Sequence, residues 1–234
     1  MEALNPGAWS SLFPPGGAAP FVPADGARYR GRAMATRTLF STLFYEAEVQ
    51  EAELLAALEH ACRGLARDDL AGRRWSREHG YRGYTSYASL DDLPVRDPDV
   101  ALLVRRLNRH VAAFAKECAF DLAGKRLKLD SLWVNVLTGG GGHSGHIHPH
   151  SVVSGTFYVA VPPGSGALKL EDPRLPMMMA APRRDDEAPE GLRPFVYAQP
   201  KAGSLFLWES WLRHEVVAGT GKGERISISF NYRA

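Results

Sequence analysis

At 234 residues with 45% hydrophobic content, the chain can bury one sizeable core and needs no second one. Its 28 basic against 26 acidic residues leave a net charge of +2, which excludes the broad basic surface that an obligate nucleic-acid partner demands. No apolar run approaches the ~20 residues of a membrane helix, and the first residues lack the charged-then-apolar order of a signal peptide, so a cytoplasmic protein without a membrane partner is expected.

Residues 1–33 hold Pro14-Pro15-Gly16-Gly17, Pro20 and Pro23 with little periodicity, a composition that reads as a flexible leader. Met34 opens a first β-like run over residues 36–45 and is an alternative start, so a single domain is expected over 34–234. Its helical support should span 49–118. Val49, Leu54, Leu55, Leu58, Ala61, Cys62 and Leu65 recur at three- and four-residue steps, the signature of one helical face. A loop rich in charge, glycine and tyrosine is expected over 74–97. Asp97-Pro98 then supplies an N-cap and a first-turn proline to a second helix carrying Leu103, Val104, Leu107, Val111, Phe114, Ala115 and Cys118. Cys62 and Cys118 fall at apolar positions of these helices and read as buried thiols. His60 and His110, each alone, read as surface or packing residues.

After Leu127 the period changes to two, with glycine and proline turns between short runs: 127–137, 152–161, 167–171, 194–199, 204–208 and 225–232. Short antiparallel strands preceded by helices predict a mainly β, α+β fold, a jelly roll or cupin-like barrel over 127–234 with bracing helices. Residues 173–193, with Met177 to Met179, interrupt the strands as a proline-rich loop long enough to cover a pocket.

Four of the eight histidines, His143, His146, His148 and His150, fall within eight residues behind a run of four glycines that lets the backbone turn sharply. In an extended strand, His146 and His148 project to one face and can meet one ion. Imidazole suits Fe, Zn, Cu or Ni, and a third ligand, His214, stands about 65 residues later beyond an apolar strand. Two alternatives stay open: His148 with His150 as the strand pair, and Asp172 as a carboxylate ligand. The last strand alternates without error, placing Ile226, Ile228 and Phe230 on one face and Arg225, Ser227, Ser229 and Asn231 on the other. A guanidinium fork at Arg225 could hold a carboxylate bidentately near the metal, with hydrogen bonds from Asn135 and Tyr158. Trp208 and Trp211 are expected to pack in the core.

The runs Leu132-Trp133-Val134-Asn135-Val136, His146-x-His148-Pro149-x-Ser151-x-x-Ser154-Gly155-x-x-Tyr158-Val159, Glu171-Asp172-Pro173-Arg174, Gly203-x-Leu205-x-Leu207-x-x-Ser210-Trp211-Leu212-x-His214 and Glu224-Arg225-Ile226-Ser227-Ile228-Ser229-Phe230-Asn231 occur in that order. Together they resemble the 2-oxoglutarate/Fe(II) oxygenase family typified by bacterial and phage proteins of unknown substrate, over residues 34–234. The resemblance implies a double-stranded β-helix in a single oxygenase domain. It implies Fe(II) on His146, His148 and His214 and Arg225 pairing with the far carboxylate of 2-oxoglutarate; Asn135, Tyr158, Ser227 and Asn231 are the further residues expected to bind the cosubstrate. The reaction it implies is hydroxylation of an unidentified small-molecule or peptide substrate, releasing succinate and carbon dioxide. One departure stands out. The family's usual pattern is two histidines and a carboxylate, yet the position two after His146 is His148. Two other readings are therefore kept: a three-histidine cupin-type dioxygenase that does not use 2-oxoglutarate, and a non-enzymatic metal or small-acid binding module.

Overall fold

The computed structural model describes residues 36–234, so the expected leader over 1–33 lies outside the described residues. Residues 41–234 form one compact unit. The chain runs β1 (Phe44–Glu48), α1 (Ala52–Asp68), α2 (Leu70–Glu78), β2 (Gly83–Thr85), α3 (Leu93–Arg96) and α4 (Pro98–Glu117), then β3 (Lys128–Leu137), β4 (His143–His146), β5 (Val153–Ala160), β6 (Leu168–Glu171), β7 (Phe195–Ala198), β8 (Ser204–Glu209), β9 (His214–Val216) and β10 (Arg225–Arg233). It is a mixed α+β fold: two antiparallel sheets braced by helices. One sheet has the order β1-β8-β5-β10-β3-β2 and the other β4-β9-β6-β7. From β3 onward, β3, β5, β8 and β10 lie in the larger sheet and β4, β6, β7 and β9 in the smaller, so the chain crosses repeatedly between the two.

The period-two pattern of β10 explains how these layers share their side chains. Ile226, Ile228, Phe230 and Tyr232 join the core formed with the helices, where Leu54, Leu58 and Cys62 of α1 meet Leu103, Leu107 and Phe114 of α4. Arg225, Ser227 and Asn231 are buried on the opposite face, between the sheets. A second apolar cluster there includes Tyr158, Leu168, Leu170, Phe206, Trp208 and Leu212. The helix over 98–117 begins as expected, with the Asp97 carboxylate accepting from the backbone N–H of Asp99 and Val100. Both cysteines are free, Cys62 buried and Cys118 partly so. His110 packs against β1, its Nδ1 2.9 Å from the Tyr45 hydroxyl, and His60 is exposed.

Two expectations are corrected. The β-like run over 36–45 becomes a strand only at Phe44. The expected loop over 74–97 contains most of α2, all of β2 and all of α3. Helix α2 escaped apolar periodicity because its buried face consists of Gly72 and Ser76, neither of which registers as hydrophobic. Close approach, not apolar bulk, seats this helix: a side chain at Gly72 would collide with Tyr84 and Ser89. Asp69 caps the helix. It accepts from the Gly72 N–H (3.0 Å), the Tyr84 hydroxyl (2.9 Å) and the Ser89 hydroxyl (2.5 Å). Burial pushes the Asp69 carboxyl up, but these hydrogen bonds outweigh it and hold the group below its ordinary range. Asp69→Ala is therefore expected to cost about 2–3 kcal/mol by urea denaturation, the loss of a cap plus two side-chain bonds. Unchanged stability would show that the cap is replaced by water.

At the other end of the fold, residues 173–193 leave and re-enter the smaller sheet at one place. Strands β6 and β7 pair from Leu168↔Ala198 to Glu171↔Phe195, and the Asp172 N–H donates to the Pro194 carbonyl at 2.9 Å.

Candidate metal centre

Three imidazoles converge between the sheets. The ligating atoms of His146, His148 and His214 all lie within 4.8 Å of one another, the one such group of three or more histidine, cysteine or acidic residues among the described residues. Strand pairing brings His146 of β4 directly opposite His214 of β9, with ring centroids 4.4 Å apart. His148 arrives differently from the expectation. Strand β4 ends at His146, so the two histidines do not share one strand; His148 follows it, and its N–H donates to the Ser210 carbonyl at 3.0 Å. Its ring stacks on that of His214 at 8° and 5.1 Å. The glycine run performs the expected turn, with Gly140 at φ 75°, a conformation that favours glycine.

The hydrogen bonds around the cluster leave its lone pairs facing inward. His214 Nδ1 lies 2.9 Å from the Leu212 carbonyl and His146 Nδ1 2.7 Å from that of Ser144. A carbonyl only accepts, so each Nδ1 carries the proton and each Nε2 is free to ligate. Burial holds His148 and His214 neutral, pushed down to about 4 and about 3, with the neighbouring imidazoles adding to the effect. His148 Nε2 and His214 Nε2 stand 3.2 Å apart. Two nitrogens each about 2.0–2.1 Å from one ion subtend roughly 100° at that separation, an ordinary angle between ligands. The donor set thus fits a divalent transition ion.

The alternatives recede. Both carboxylate oxygens of Asp172 are taken by Arg174, at 2.9 and 2.7 Å, and His150 lies outside the cluster.

Beside the histidines, a cavity of about 30 Å³ that opens to solvent is bordered by Trp133, Asn135, Thr156, Trp208, Arg225 and Ser227 as well as the cluster itself. Arg225 is 5% exposed, its Nε has no hydrogen-bond partner, and no carboxylate pairs with it among the described residues. Its guanidinium carbon sits 4.9 Å over the Tyr158 ring, whose hydroxyl is likewise buried and without a partner. Burial raises the Tyr158 phenol while the Arg225 charge opposes the rise. An unpaired guanidinium held out of water costs several kcal/mol, which an incoming carboxylate would repay. Of the other expected acid-binding residues, Asn135 and Ser227 border the cavity. Asn231 does not: its amide accepts from Ser154 and donates to Ser131. Trp208 packs in the core as expected, whereas Trp211 is 46% exposed and donates to Glu209.

Sequence reasoning gave no role to His143 or Tyr81. His143 Nε2 lies 2.6 Å from the Tyr81 hydroxyl, which donates to Asn135 Oδ1 at 3.1 Å; Asn135 in turn donates to Ser229 at 3.2 Å. This run of bonds along the cavity wall assigns the His143 proton to Nε2. His143 belonged to the histidine cluster and could have been flagged; Tyr81, after a helix without apolar signal, could not.

Residues 131–231 match the profile of a family described as "Putative 2OG-Fe(II) oxygenase". No curated protein is similar to the chain in sequence. Among solved structures, a Pseudomonas putida prolyl-4-hydroxylase matches with a TM-score of 0.54 at 16% identity, over 82% of this chain and 94% of that one. AviO1 from Streptomyces viridochromogenes Tue57 gives 0.55 at 16%, over 83% and 90%. HygX from Streptomyces hygroscopicus, solved with nickel, 2-oxoglutarate and hygromycin B, gives 0.55 at 16%, over 82% and 83%. At these identities the likeness is one of fold. Over its β-core, residues 131–231, where the histidine centre lies, the chain is similar to the 2OG-Fe(II) oxygenase family.

Proposed function

We propose that this chain is an iron-dependent dioxygenase of the three-histidine cupin type, acting on a small organic acid that meets the metal without 2-oxoglutarate. The donor set carries the reading: three imidazoles and no carboxylate within the cluster. Three neutral ligands leave a bound Fe(II) at formal +2, which favours an anionic substrate over the weaker demand of a carboxylate-ligated ion. Arg225, with Tyr158, Asn135 and Ser227 beside it, would hold the substrate's carboxylate as a fork holds a planar group. The run Asn135–Tyr81–His143 would fix the wall against which that acid rests. Iron, when bound, would supply the redox chemistry toward dioxygen. The chain's own contribution is to orient the acid beside the metal. The strand order, alternating between the two sheets, supports a double-stranded β-helix as the frame, within one oxygenase domain over 34–234.

A second reading keeps 2-oxoglutarate as cosubstrate, with hydroxylation of a separate substrate and release of succinate and carbon dioxide. The orphaned Arg225 Nε favours it equally, since a dicarboxylate would also satisfy it. Anaerobic titration with Fe(II), followed by oxygen uptake with a panel of small carboxylic acids, separates the two. Uptake with an acid in the absence of 2-oxoglutarate is expected. Succinate formed in step with oxygen would transfer the assignment to the second reading, and no uptake under either condition would leave a binding module. Arg225→Ala is expected to weaken binding of the active acid by about 2–5 kcal/mol, measured calorimetrically, because it removes one partner of a buried charge pair.

A further inference from the structure

A line of aromatic rings leads from the histidine cluster to the surface. Trp133, 9% exposed, borders the cavity with its ring centroid 5.9 Å from that of His148. Tyr87 meets Trp133 edge-on at 5.4 Å and is 63% exposed. Trp75 of α2 lies 6.2 Å from Tyr87 and stacks on His79 at 4.1 Å.

Though Tyr87 sits in a surface loop, its place is fixed. Ser86, just before it, is bonded to Val134 in both directions: its N–H donates to the Val134 carbonyl and its hydroxyl accepts from the Val134 N–H, each at 3.0 Å. Asp69 ties α2 to Tyr84 and Ser89 on either side, which brings Trp75 alongside. The other tryptophan at the cluster, Trp208, is 4.6 Å from His214 but continues to Phe44 at 6.4 Å. A phenyl ring gives up an electron far less readily than an indole or a phenol, so that branch ends in the core. Trp133 and Tyr87 make a branch of oxidisable rings that reaches water.

We infer that Trp133 and Tyr87 form a one-electron relay between the histidine site and solvent, discharging an oxidising equivalent that dioxygen leaves at the metal-loaded site when no organic substrate receives it. The inference rests on the reading of the site as one that holds a redox metal. In each passage Trp133 gives one electron to the site and takes one from Tyr87. Tyr87 loses its phenolic proton to water. It then recovers an electron and a proton from a small reductant of the thiol or ascorbate class. No atom of the chain is consumed, and each discharge reduces the site by one electron and oxidises the reductant by one. The ligand His148, nearest to the oxidant, is spared.

Two measurements test this. On the metal-free chain, pulse radiolysis with azide radicals generates indolyl radicals, and their decay into tyrosyl radical is followed optically. Tyr87→Phe is expected to lower the tyrosyl yield, and Tyr81→Phe, which alters a ring bonded to His143 and Asn135 behind the cavity, is not. On the chain loaded with Fe(II) and exposed to oxygen without organic substrate, electron paramagnetic resonance is expected to show a tyrosyl radical that disappears in Tyr87→Phe and in Trp133→Phe. With no reductant present to restore Tyr87, peptide mass spectrometry of Trp133→Phe should show oxidation moved from residue 87 to His148. Circular dichroism establishes that both variants fold; for Tyr87→Phe, an exposed ring, this is expected. A tyrosyl yield unchanged by Tyr87→Phe in both measurements, or a radical located on Tyr81, would overturn the relay. Failure to bind Fe(II) would overturn the reading of the site, and with it the discharge role, while the metal-free measurement would still report on transfer between the two rings.

Discussion

His214→Ala is expected to lower the affinity for Fe(II), or for Co(II) as an air-stable probe, by more than about a hundredfold, since loss of an outer hydrogen-bonding group alone costs 10–100-fold. The expectation follows from where His214 stands. It is 4% exposed, its Nδ1 proton is committed to the Leu212 carbonyl, and its Nε2 faces that of His148 at 3.2 Å. Alanine there would remove a donor nitrogen whose tautomer and orientation are already fixed, and among the described residues no carboxylate joins the cluster to replace it. Asp172 is held by Arg174 on both oxygens. The substitution also forfeits one hydrogen bond and leaves a small void, about 1–2 kcal/mol of stability, so the chain should remain folded for the titration. His150→Ala is the control: outside the cluster, it should leave metal affinity unchanged. Equal affinities for His214→Ala and the unsubstituted chain, by calorimetry or chelator competition, would remove His214 from the site.

The metal-free chain should lose stability steeply between pH 6.5 and about 4. Burial pushes His143 and His148 down to about 4 and His214 to about 3, and also lowers His110, from an ordinary value near 6.5. Between the ordinary and the folded values, the unfolded chain takes up protons that the folded chain refuses. Acid therefore draws the equilibrium toward unfolding. Above pH 6.5 these imidazoles are neutral in both states and the full stability is present. Each unit of difference is worth about 1.4 kcal/mol, and allowing for coupling among neighbours and solvent screening the group should contribute on the order of several kcal/mol. Urea midpoints at pH 7.5 and 5.0 measure it. The double variant His143→Gln, His148→Gln should narrow the difference without abolishing it, because neither glutamine titrates while His214 and His110 still do. Identical midpoints for the unsubstituted chain at the two pH values would mean that the site opens to water before the histidines charge.

What was legible in the sequence divides along physical lines. Six of the eight strands from β3 to β10 were readable within a residue or two because one face of each is buried and the period-two signal is strong, as in Arg225–Arg233; β4 and β9, only four and three residues long, show no such period and were missed. Helices α1 and α4 were readable for the corresponding reason at a period of 3.6. Helix α2 was not, since glycine and serine line its buried face. At the site, the three clustered histidines and the buried Arg225 stood in motifs. Their mutual placement did not, because it depends on β4 pairing with β9 across residues far apart in sequence. Asn231 illustrates the limit. Alternation put it on the right face, but its distance from the cavity along β10 and its bonds to Ser154 and Ser131 are matters of register.

The segment 173–193 begins and ends at one hydrogen bond, from the Asp172 N–H to the Pro194 carbonyl, with β6 and β7 zipped together behind it. Chain inserted or removed between those two residues leaves the closure intact, and doubling such a loop costs only about 0.6 kcal/mol of closure entropy. The histidine centre draws no ligand from it. This makes the segment a cassette: a place where a descendant protein, or an engineer, can exchange one length and composition for another while the ligands, the guanidinium and the two sheets stay as they are.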